Sequence, residues 1–178
     1  MTLEKCSPNT RGVHHTGRGT NMSGTTAKVD VLVRQARERG ILTIGVGDLG
    51  NEIGFGNIRE TVERYIPLVC RCGCGGSGAA ATETDYLVVA SSSNRGGYGV
   101  EAALAALLGD VSLVHSGEMD KQMILAARDH GAIDSFTVAP TATDGHGVDM
   151  HYSACLVELL RQIVQSRDVE FGMYAARS

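Results

Sequence analysis

The spacing of hydrophobic positions along the chain predicts helices that alternate with short strands. Val29, Leu32, Val33 and Ala36 recur at the intervals of one helix face and predict a first helix over 26–39. Elsewhere, short runs of consecutive apolar residues are typical of strands that are buried in a sheet. Glycines at the ends of these patterns indicate where the elements stop.

The predicted elements that follow the first helix form an alternating series. In chain order they are a strand over 41–44, a helix over 57–66, a strand over 85–90, a helix over 100–108, a strand over 111–115, a helix over 118–130, a strand over 133–138 and a helix over 151–166. Residues 1–25 are polar and predict a loop. This alternation favours an α/β fold, an open, mainly parallel sheet flanked by helices. We expect one domain over 1–178.

Three polar or glycine-rich loops each follow a predicted strand, and they cover 45–56, 91–99 and 139–149. The carboxyl ends of parallel strands lie along one edge of a sheet, and ligands bind in the crevice outside that edge. If the strands are parallel, we therefore expect the functional site at their carboxyl ends.

The loop after the first predicted strand, GVGDLGNEIGFG, carries most of the candidate chemistry. Asp48, Asn51 and Glu52 lie in a glycine frame that leaves the backbone free to adopt positive φ. Their oxygens suit a hard divalent cation such as Mg²⁺ or Mn²⁺, and the carboxylates could instead act as a general base. Backbone N–H groups of the glycines could hold a substrate carboxylate. A plainer interpretation is a tight turn in which Asp48 and Asn51 only cap the following helix.

The same loop also matches the dinucleotide-binding fingerprint through Gly45, Gly47 and Gly50, but the match is weak. The fingerprint requires an acidic residue about 20 positions further on, and the stretch YIPLVCRC over 65–72 contains none. A P-loop is excluded because no Gly-Lys-Ser/Thr follows. We therefore expect no nucleotide cofactor.

The second and third loops add further polar candidates. Arg95 could clamp a carboxylate with two hydrogen bonds, and Asn94 could donate or accept one. A solvated polar turn is the alternative for this loop. Asp144 could contribute to a metal site, or it could belong to a common Asp-Gly turn.

Composition and charge narrow the function classes. The net charge is −4, the 16 Lys and Arg residues are scattered, and aromatic residues make up only 4%. These features disfavour a nucleic-acid-binding module. No apolar run approaches the ~18 residues of a membrane span. Five cysteines without a signal peptide are typical of free thiols in a reducing compartment, so we expect a cytoplasmic location.

The cysteines Cys70, Cys72 and Cys74 raise the hypothesis of a zinc site. Their one-residue gaps differ from the C-x₂₋₄-C spacing of structural zinc sites, and no second ligand pair lies at a familiar distance. Free thiols are therefore the favoured interpretation. His14 and His15 could be a ligand or a proton shuttle, or equally loose surface histidines.

The string GVGDLGNEIGFGNI, followed some forty residues later by SSNRGGYG, resembles the D-glutamate cyclase family. The family pattern is approximately G-x-G-D-G-G-N-E-I-G-M-G-N, then S-N-W-G-x-Y. The matching residues are Asp48, Asn51, Glu52, Ile53, Gly54, Gly56, Asn57, Ser93, Asn94, Gly96 and Tyr98. Asp144 with Gly145 is similar to a V-D-G element near the end of such domains. The departures are Leu49 in place of Gly, Phe55 in place of Met and Arg95 in place of Trp.

The resemblance implies a lyase that converts D-glutamate to 5-oxo-D-proline by intramolecular loss of water. It implies a divalent metal, manganese or a similar ion, and it makes a homo-oligomer plausible. Domains of this family are longer, so we expect the chain to lack their N-terminal portion. Alternatives are a non-catalytic remnant that binds a small carboxylate or a metal, and another metal-dependent lyase or hydrolase acting on a small amino acid or lactam.

Site residues carried over from the resemblance fall into three groups. Asp48, Glu52 and Asn51 are the predicted catalytic residues. Asp48, Glu52 and Asp144 are the predicted metal ligands. The predicted substrate contacts are Gly50, Gly54, Asn94, Arg95, Gly96 and Tyr98.

Overall fold

A computed structural model describes residues 1–166 of the chain. The described residues divide into two compact units, Met1–Gly96 and the residues from Gly97 onward, which we describe separately. None of the helices within the described range is long and apolar enough to cross a membrane.

The first unit contains a three-stranded parallel sheet. The strands are β1 (Thr2–Leu3), β2 (Ile44–Gly47) and β3 (Tyr86–Val89), in the order β1-β2-β3. Thr2 pairs with Gly45, and Gly47 pairs with Val89. The helices are α1 (Val29–Glu38) and α2 (Arg59–Tyr65), the latter preceded by a 3₁₀ turn over Phe55–Ile58. The predicted α/β class with an open parallel sheet is confirmed.

The core of the first unit lies under the loop that follows β2. Phe55, Val62, Ala79 and Ala80 are fully buried and pack together. Burial of such apolar surface is the main stabilising contribution to folding. Because Phe55 belongs to the glycine-rich loop itself, this core fixes the position of the loop.

Helix α3 (Ser93–Leu108) begins in the first unit and continues into the second. The second unit adds a 3₁₀ turn (Val111–Leu113), α4 (Gly117–Asp129) and α5 (Met150–Ser166). Its core consists of the buried residues Ala102, Ala105, Val114, Val157 and Val164. The side chain of Ser116 caps α4 by accepting the N–H of Met119, as expected for a serine at this position.

All four predicted strands differ from the structure. The predicted strand over 41–44 is displaced: it begins at Ile44, and Leu42 is 61% exposed. Gly45 can enter the sheet because it has no side chain, and a Cβ there would lie 2.3 Å from the carbonyl oxygen of Ile53. The predicted strand over 85–90 is present, but it lies at the sheet edge, where Tyr86 and Val89 are exposed.

Both strands predicted in the second unit are absent from its described residues. Within the stretch 111–115, Val111–Leu113 forms a 3₁₀ turn, which Asp110 caps by accepting the N–H of Ser112. The stretch 133–138 is wound around the carboxylate of Asp134, which accepts backbone N–H groups from Phe136 and Thr137. A carboxylate that accepts several backbone N–H groups stabilises a turn rather than an extended strand. The third loop therefore follows no strand.

Candidate active site

The candidate site lies where β1 and β2 end. Asp48 directly follows β2, and Glu4 directly follows β1. The N–H of Glu4 donates to the carbonyl of Val46 at 3.1 Å, which fixes the register of the two chain segments. Carboxylate oxygens of Glu4 and Asp48 lie within 4.8 Å of each other. Glu4 was missed at the sequence level because the two-residue strand before it is too short to produce a pattern.

Glu4 has a backbone conformation that a side-chain-bearing residue rarely adopts. Its φ is +53°, in the left-handed region that favours glycine. Such a conformation costs of order 1 kcal/mol and persists where surrounding structure imposes it. Strained positions of this kind cluster at functional sites, which is consistent with a role for this carboxylate.

Helix α3 points its N-terminus at these carboxylates. Asp48 Oδ2 accepts the N–H of Ser93 at 2.9 Å, and Ser93 Oγ donates to Glu4 Oε2. The N-terminus of a helix carries partial positive charge and stabilises nearby anions. Asp48 therefore does cap a helix, but this helix lies forty-five residues away rather than directly after the loop.

Glu52 is the most deeply buried carboxylate of the loop, at 3% exposure. Its Oε2 accepts the N–H of Gly50 at 2.8 Å, and both of its oxygens lie 3.3 Å from the N–H of Leu49. Burial, together with the charges of Glu4 and Asp48, raises the pKa of Glu52 to about 7. A carboxyl group with a pKa near the working pH is suited to general acid–base chemistry.

The glycine frame is required by close packing around Glu52. A Cβ at Gly47 would lie 2.7 Å from the Phe55 ring and 3.0 Å from Glu52 Oε2. Gly50 and Gly54 have φ values of +108° and +107°, which L-residues with side chains rarely adopt. The frame therefore makes room for the carboxylate, and these contacts assign its glycines a structural role.

Asn51 connects the loop to the N-terminal segment. Its side-chain Nδ2 donates to the backbone carbonyl of His15 at 3.0 Å, and its backbone carbonyl accepts the N–H of Ser7. Asn51 Oδ1 is buried and has no hydrogen-bond partner within residues 1–166. Because buried polar atoms are normally paired, this oxygen is a distinctive feature of the site.

The predicted loop over 91–99 is wrong, because helix α3 already begins at Ser93. Asn94, Arg95 and Gly96 therefore lie in its first turn. A Cβ at Gly96 would approach Val46 Cγ1 to 2.6 Å, so this glycine lets the helix pack closely on β2. Arg95 donates to Ser91 Oγ at 2.9 Å. In the first unit the structure thus brings the β2 loop and the start of α3 together.

The two remaining predicted residues, Tyr98 and Asp144, belong to the second unit. Tyr98 donates its hydroxyl to the buried carboxylate of Asp120 at 2.6 Å, and burial raises the pKa of Tyr98 far above its ordinary value. Asp144 Oδ1 accepts the N–H groups of His146 and Val148. These contacts describe an Asp-Gly turn, and a metal-binding role for Asp144 stays a prediction.

Sequence reasoning also missed a polar network in the second unit. His115 Nδ1 lies 2.7 Å from Glu101 Oε2, and its Nε2 lies 3.5 Å from Asp120 Oδ1. The Tyr98 and His115 rings meet edge to face, with centroids 5.1 Å apart. Only the pairing of residues distant in sequence reveals this network, so no local pattern could have indicated it.

A second group of candidate ligands lies in the loops of the first unit. The side-chain ligand atoms of His15, Cys70, Cys72 and Cys74 all lie within 4.8 Å of one another. A hydrogen bond from Cys72 is the main cause that lowers the pKa of Cys70 to about 6. We call these four residues the sulfur cluster. It includes a potential metal ligand that the cysteine spacing did not reveal: His15, which precedes Cys72 by 57 positions.

The surface alternative for the two histidines is wrong. His15 is 1% exposed, and His14 is also buried, with its Nε2 3.2 Å from Asp30 Oδ1. Buried imidazoles require polar partners, and both have them on one ring nitrogen.

A cavity of about 600 Å³ also opens in the first unit, lined in part by His14, Lys28, Asp30, Arg34 and Arg37. None of the predicted catalytic or metal-binding residues lines it. We place the candidate site at Glu4, Asp48 and Glu52 because these residues combine three neighbouring carboxyl groups, a helix N-terminus and one buried carboxyl group, that of Glu52, with a raised pKa. Such perturbed groups cluster at functional sites.

Comparisons with known proteins support the family resemblance that the motif around Asp48 and Glu52 indicates. The family described as D-glutamate cyclase-like, C-terminal, matches residues 1–161. The human protein named D-glutamate cyclase, mitochondrial, is 33% identical over 108 residues, which cover 60% of this chain and 17% of that relative. The aligned part is thus about one sixth of the human protein. This chain belongs to the D-glutamate cyclase-like C-terminal family.

Proposed function

We propose that this chain is a D-glutamate cyclase-like lyase that forms 5-oxo-D-proline from D-glutamate with loss of water. The observation that carries the proposal is Glu52, a buried carboxyl group with a pKa raised to about 7 beside Glu4 and Asp48. The name of the human relative supports the substrate and the reaction.

The reaction requires a base because the α-amine must be neutral to attack the γ-carboxyl carbon. Glu52 is suited to accept that proton near neutral pH, since a catalytic pKa near the working pH is most effective. The Gly50 N–H, 2.8 Å from Glu52 Oε2, orients the carboxyl group. Ring closure is intramolecular, so holding the substrate in a curled conformation contributes much of the rate enhancement.

The carboxylate pair Glu4 and Asp48 fits a hard divalent cation. Their oxygens lie within 4.8 Å of each other, and carboxylate oxygens are the donors that Mg²⁺ and Mn²⁺ prefer. When bound there, such a cation would supply Lewis-acid polarisation of the γ-carboxylate. Manganese follows from the family resemblance and belongs to the proposal.

The first turn of α3 and Asn51 would hold the substrate. Arg95 is suited to pair with the α-carboxylate, and Asn94 lies in the same helical turn. The buried Oδ1 of Asn51 has no hydrogen-bond partner within the described chain and is suited to accept a hydrogen bond from the substrate ammonium group. These roles would position both ends of a small dicarboxylate. A homo-oligomer and a cytoplasmic location stay predictions, and the human relative is named mitochondrial.

The test is chiral detection of 5-oxoproline after incubation of the purified chain with D- or L-glutamate and Mn²⁺. We expect product from D-glutamate only, and a loss of at least about 100-fold in Glu52→Gln. Glu60→Gln, an exposed substitution in α2, is the matched control and should retain activity.

Two outcomes would contradict the proposal. A wild-type chain without turnover that is still stabilised by D-glutamate or Mn²⁺ would indicate a non-catalytic binding protein. Product from a different small amino acid or lactam, and none from D-glutamate, would assign the site to another lyase or hydrolase.

A further inference from the structure

The sulfur cluster lies in a part of the first unit that has no regular secondary structure. Residues 66–85, between α2 and β3, form neither helix nor strand. Segments of this length without elements of their own are uncommon in compact domains and are usually functional or otherwise constrained. The three cysteines lie near the middle of this segment, and His15 lies in the N-terminal loop.

The separations among the four side chains are close to those of a tetrahedral metal site. Cys70 Sγ lies 3.2 Å from Cys72 Sγ and 3.4 Å from Cys74 Sγ. His15 Nε2 lies 3.3 Å from Cys72 Sγ and 3.8 Å from Cys74 Sγ. Zinc bound at about 2.3 Å from sulfur and about 2.1 Å from nitrogen separates two sulfurs by about 3.8 Å and sulfur from nitrogen by about 3.6 Å. The four atoms therefore already surround a volume of the right size.

The backbone turns at two glycines around the last cysteine of the cluster. Gly73 and Gly75 have φ values of +73° and +71°, conformations that glycine adopts without strain. Gly73 lies between Cys72 and Cys74, and its turn lets these two side chains approach each other more closely than alternate side chains of an extended strand do. Gly75 turns the chain directly after Cys74.

Buried polar groups support the cluster from outside. Asn9 is buried, and its Nδ2 lies 3.4 Å from Cys74 Sγ and 2.8 Å from the carbonyl of Ser77. Its Oδ1 accepts the N–H groups of Arg11 and Val13. Such outer contacts orient metal ligands and tune their donor strength.

We propose that His15, Cys70, Cys72 and Cys74 form a closed four-ligand site for zinc. Three thiolates and one imidazole select a soft or borderline ion over Mg²⁺ or Mn²⁺. Four protein ligands leave no open position, so the ion is structural rather than catalytic. It ties the 66–85 segment to the N-terminal loop.

This site also supports the candidate active site through the backbone of His15. The carbonyl of His15 accepts hydrogen bonds from Asn51 Nδ2 at 3.0 Å and from Cys6 Sγ at 3.1 Å. A metal ion that fixes His15 thereby fixes the position of the Asn51 side chain. The two sites have different donors and different proposed ions, so each can be tested without the other.

The test measures bound zinc on the full chain purified with a reductant that does not chelate metals. We expect about one zinc per chain in the wild type and at least a tenfold lower content in Cys72→Ser. Cys155→Ser, an exposed cysteine of α5, is the matched control and should retain the ion. Loss of the ion should lower the thermal midpoint by on the order of 10 °C.

A second measurement requires no variant. Wild-type chain stripped of zinc and titrated with Co²⁺ should develop the visible absorption of a tetrahedral cobalt–thiolate centre with about one equivalent. Absence of both zinc and this spectrum in folded chain would overturn the proposal, as would a zinc content in Cys72→Ser equal to that of the wild type. Because neither readout involves turnover, a failure here is distinct from failure of the proposed cyclase activity.

Discussion

The first unit contains two groups of potential metal ligands that are built in opposite ways. The oxygen cluster, Glu4, Asp48 and Glu52, lies where two paired strands end, and α3 begins against it. The sulfur cluster, His15, Cys70, Cys72 and Cys74, lies in loops without regular structure. Strands and a helix hold the oxygen cluster in place, whereas a metal ion bound by the sulfur cluster would hold the surrounding loops in place.

This difference matches the roles that we propose for the two clusters. A catalytic carboxylate must keep a perturbed protonation state, so it needs rigid surroundings that exist before any ligand arrives. Glu52 has such surroundings because the Phe55 core and the glycine frame enclose it. A structural metal supplies its own rigidity, since its binding free energy is available to order the chain.

The largest expected effect separates the two clusters by activity. Asp48→Asn should lower turnover of D-glutamate by at least about 100-fold, because it removes a charged oxygen donor from the proposed cation site. Zinc content should stay unchanged, since no sulfur ligand is altered. Kinetics and metal analysis of the same preparation provide both values.

The matched control for this substitution is Asp110→Asn. Asp110 also caps a helical turn by accepting a backbone N–H, that of Ser112, but it lies outside the oxygen cluster. Comparable losses of turnover in both variants would contradict a cation-binding role for Asp48 and leave only a capping role.

The next effect tests whether the glycine frame is needed. In Gly47→Ala the new Cβ would lie 2.7 Å from the Phe55 ring and 2.9 Å from Glu52 Cβ, both of which are buried. Overpacking of this kind costs about 2–3 kcal/mol, so the thermal midpoint should fall by about 5–10 °C. Gly24→Ala introduces a Cβ with nothing within 4 Å and should be close to neutral. Equal midpoints for the two variants would show that the frame tolerates side chains.

The oxygen cluster could be anticipated from the sequence because its central residues are local. Asp48 and Glu52 lie in one glycine-rich string directly after a strand, so a single turn determines their surroundings. The membership of Glu4 could not be anticipated, because it depends on the pairing of Leu3 with Val46 across the sheet. The same limit applies more strongly to His15, which approaches Cys72 only through loop packing.

Errors in the element assignment have comparable causes. The serine- and glycine-rich stretch before Tyr98 is typical of a loop, yet it is helical because Gly96 packs directly on Val46 and Asp48 caps the helix. The apolar stretch over 133–138 is typical of a strand, yet the Asp134 carboxylate winds it into a turn. In both cases tertiary contacts outweigh the local preference, as weak propensities allow.

A smaller effect concerns the protonation of Glu52 and changes with pH. Its pKa is about 7 in the folded chain against an ordinary value of 4.5. Between these values the folded state binds more protons than the unfolded state, so this residue lowers stability as pH rises from 4.5 to 7. Glu52→Gln should therefore be more stable than the wild type at pH 8, by about 1–3 kcal/mol, with the difference vanishing near pH 4.5.

Denaturant unfolding across this pH range, without added divalent cation, measures the effect of Glu52→Gln. A cation would favour the ionised carboxylate and reduce the difference. Glu60→Gln should produce no pH-dependent difference, because Glu60 is exposed. A stability difference for Glu52→Gln that is constant with pH would mean that the carboxyl group titrates normally.

The smallest effect extends the comparison to a buried carboxylate that belongs to neither cluster. Asp120 is 1% exposed, comparable to Glu52 of the oxygen cluster at 3%, but Tyr98 donates to it at 2.6 Å. Tyr98→Phe removes this donor and should lower the free energy of unfolding by about 1–2 kcal/mol, the cost of leaving a buried acceptor poorly paired. Tyr152→Phe, with an exposed ring in α5, is the control. Unchanged stability in Tyr98→Phe would mean that the Asp120 carboxylate is satisfied without the tyrosine. The expected loss would show that the second unit stabilises a buried carboxylate with a hydroxyl donor. Burial of Glu52 instead raises its pKa to about 7.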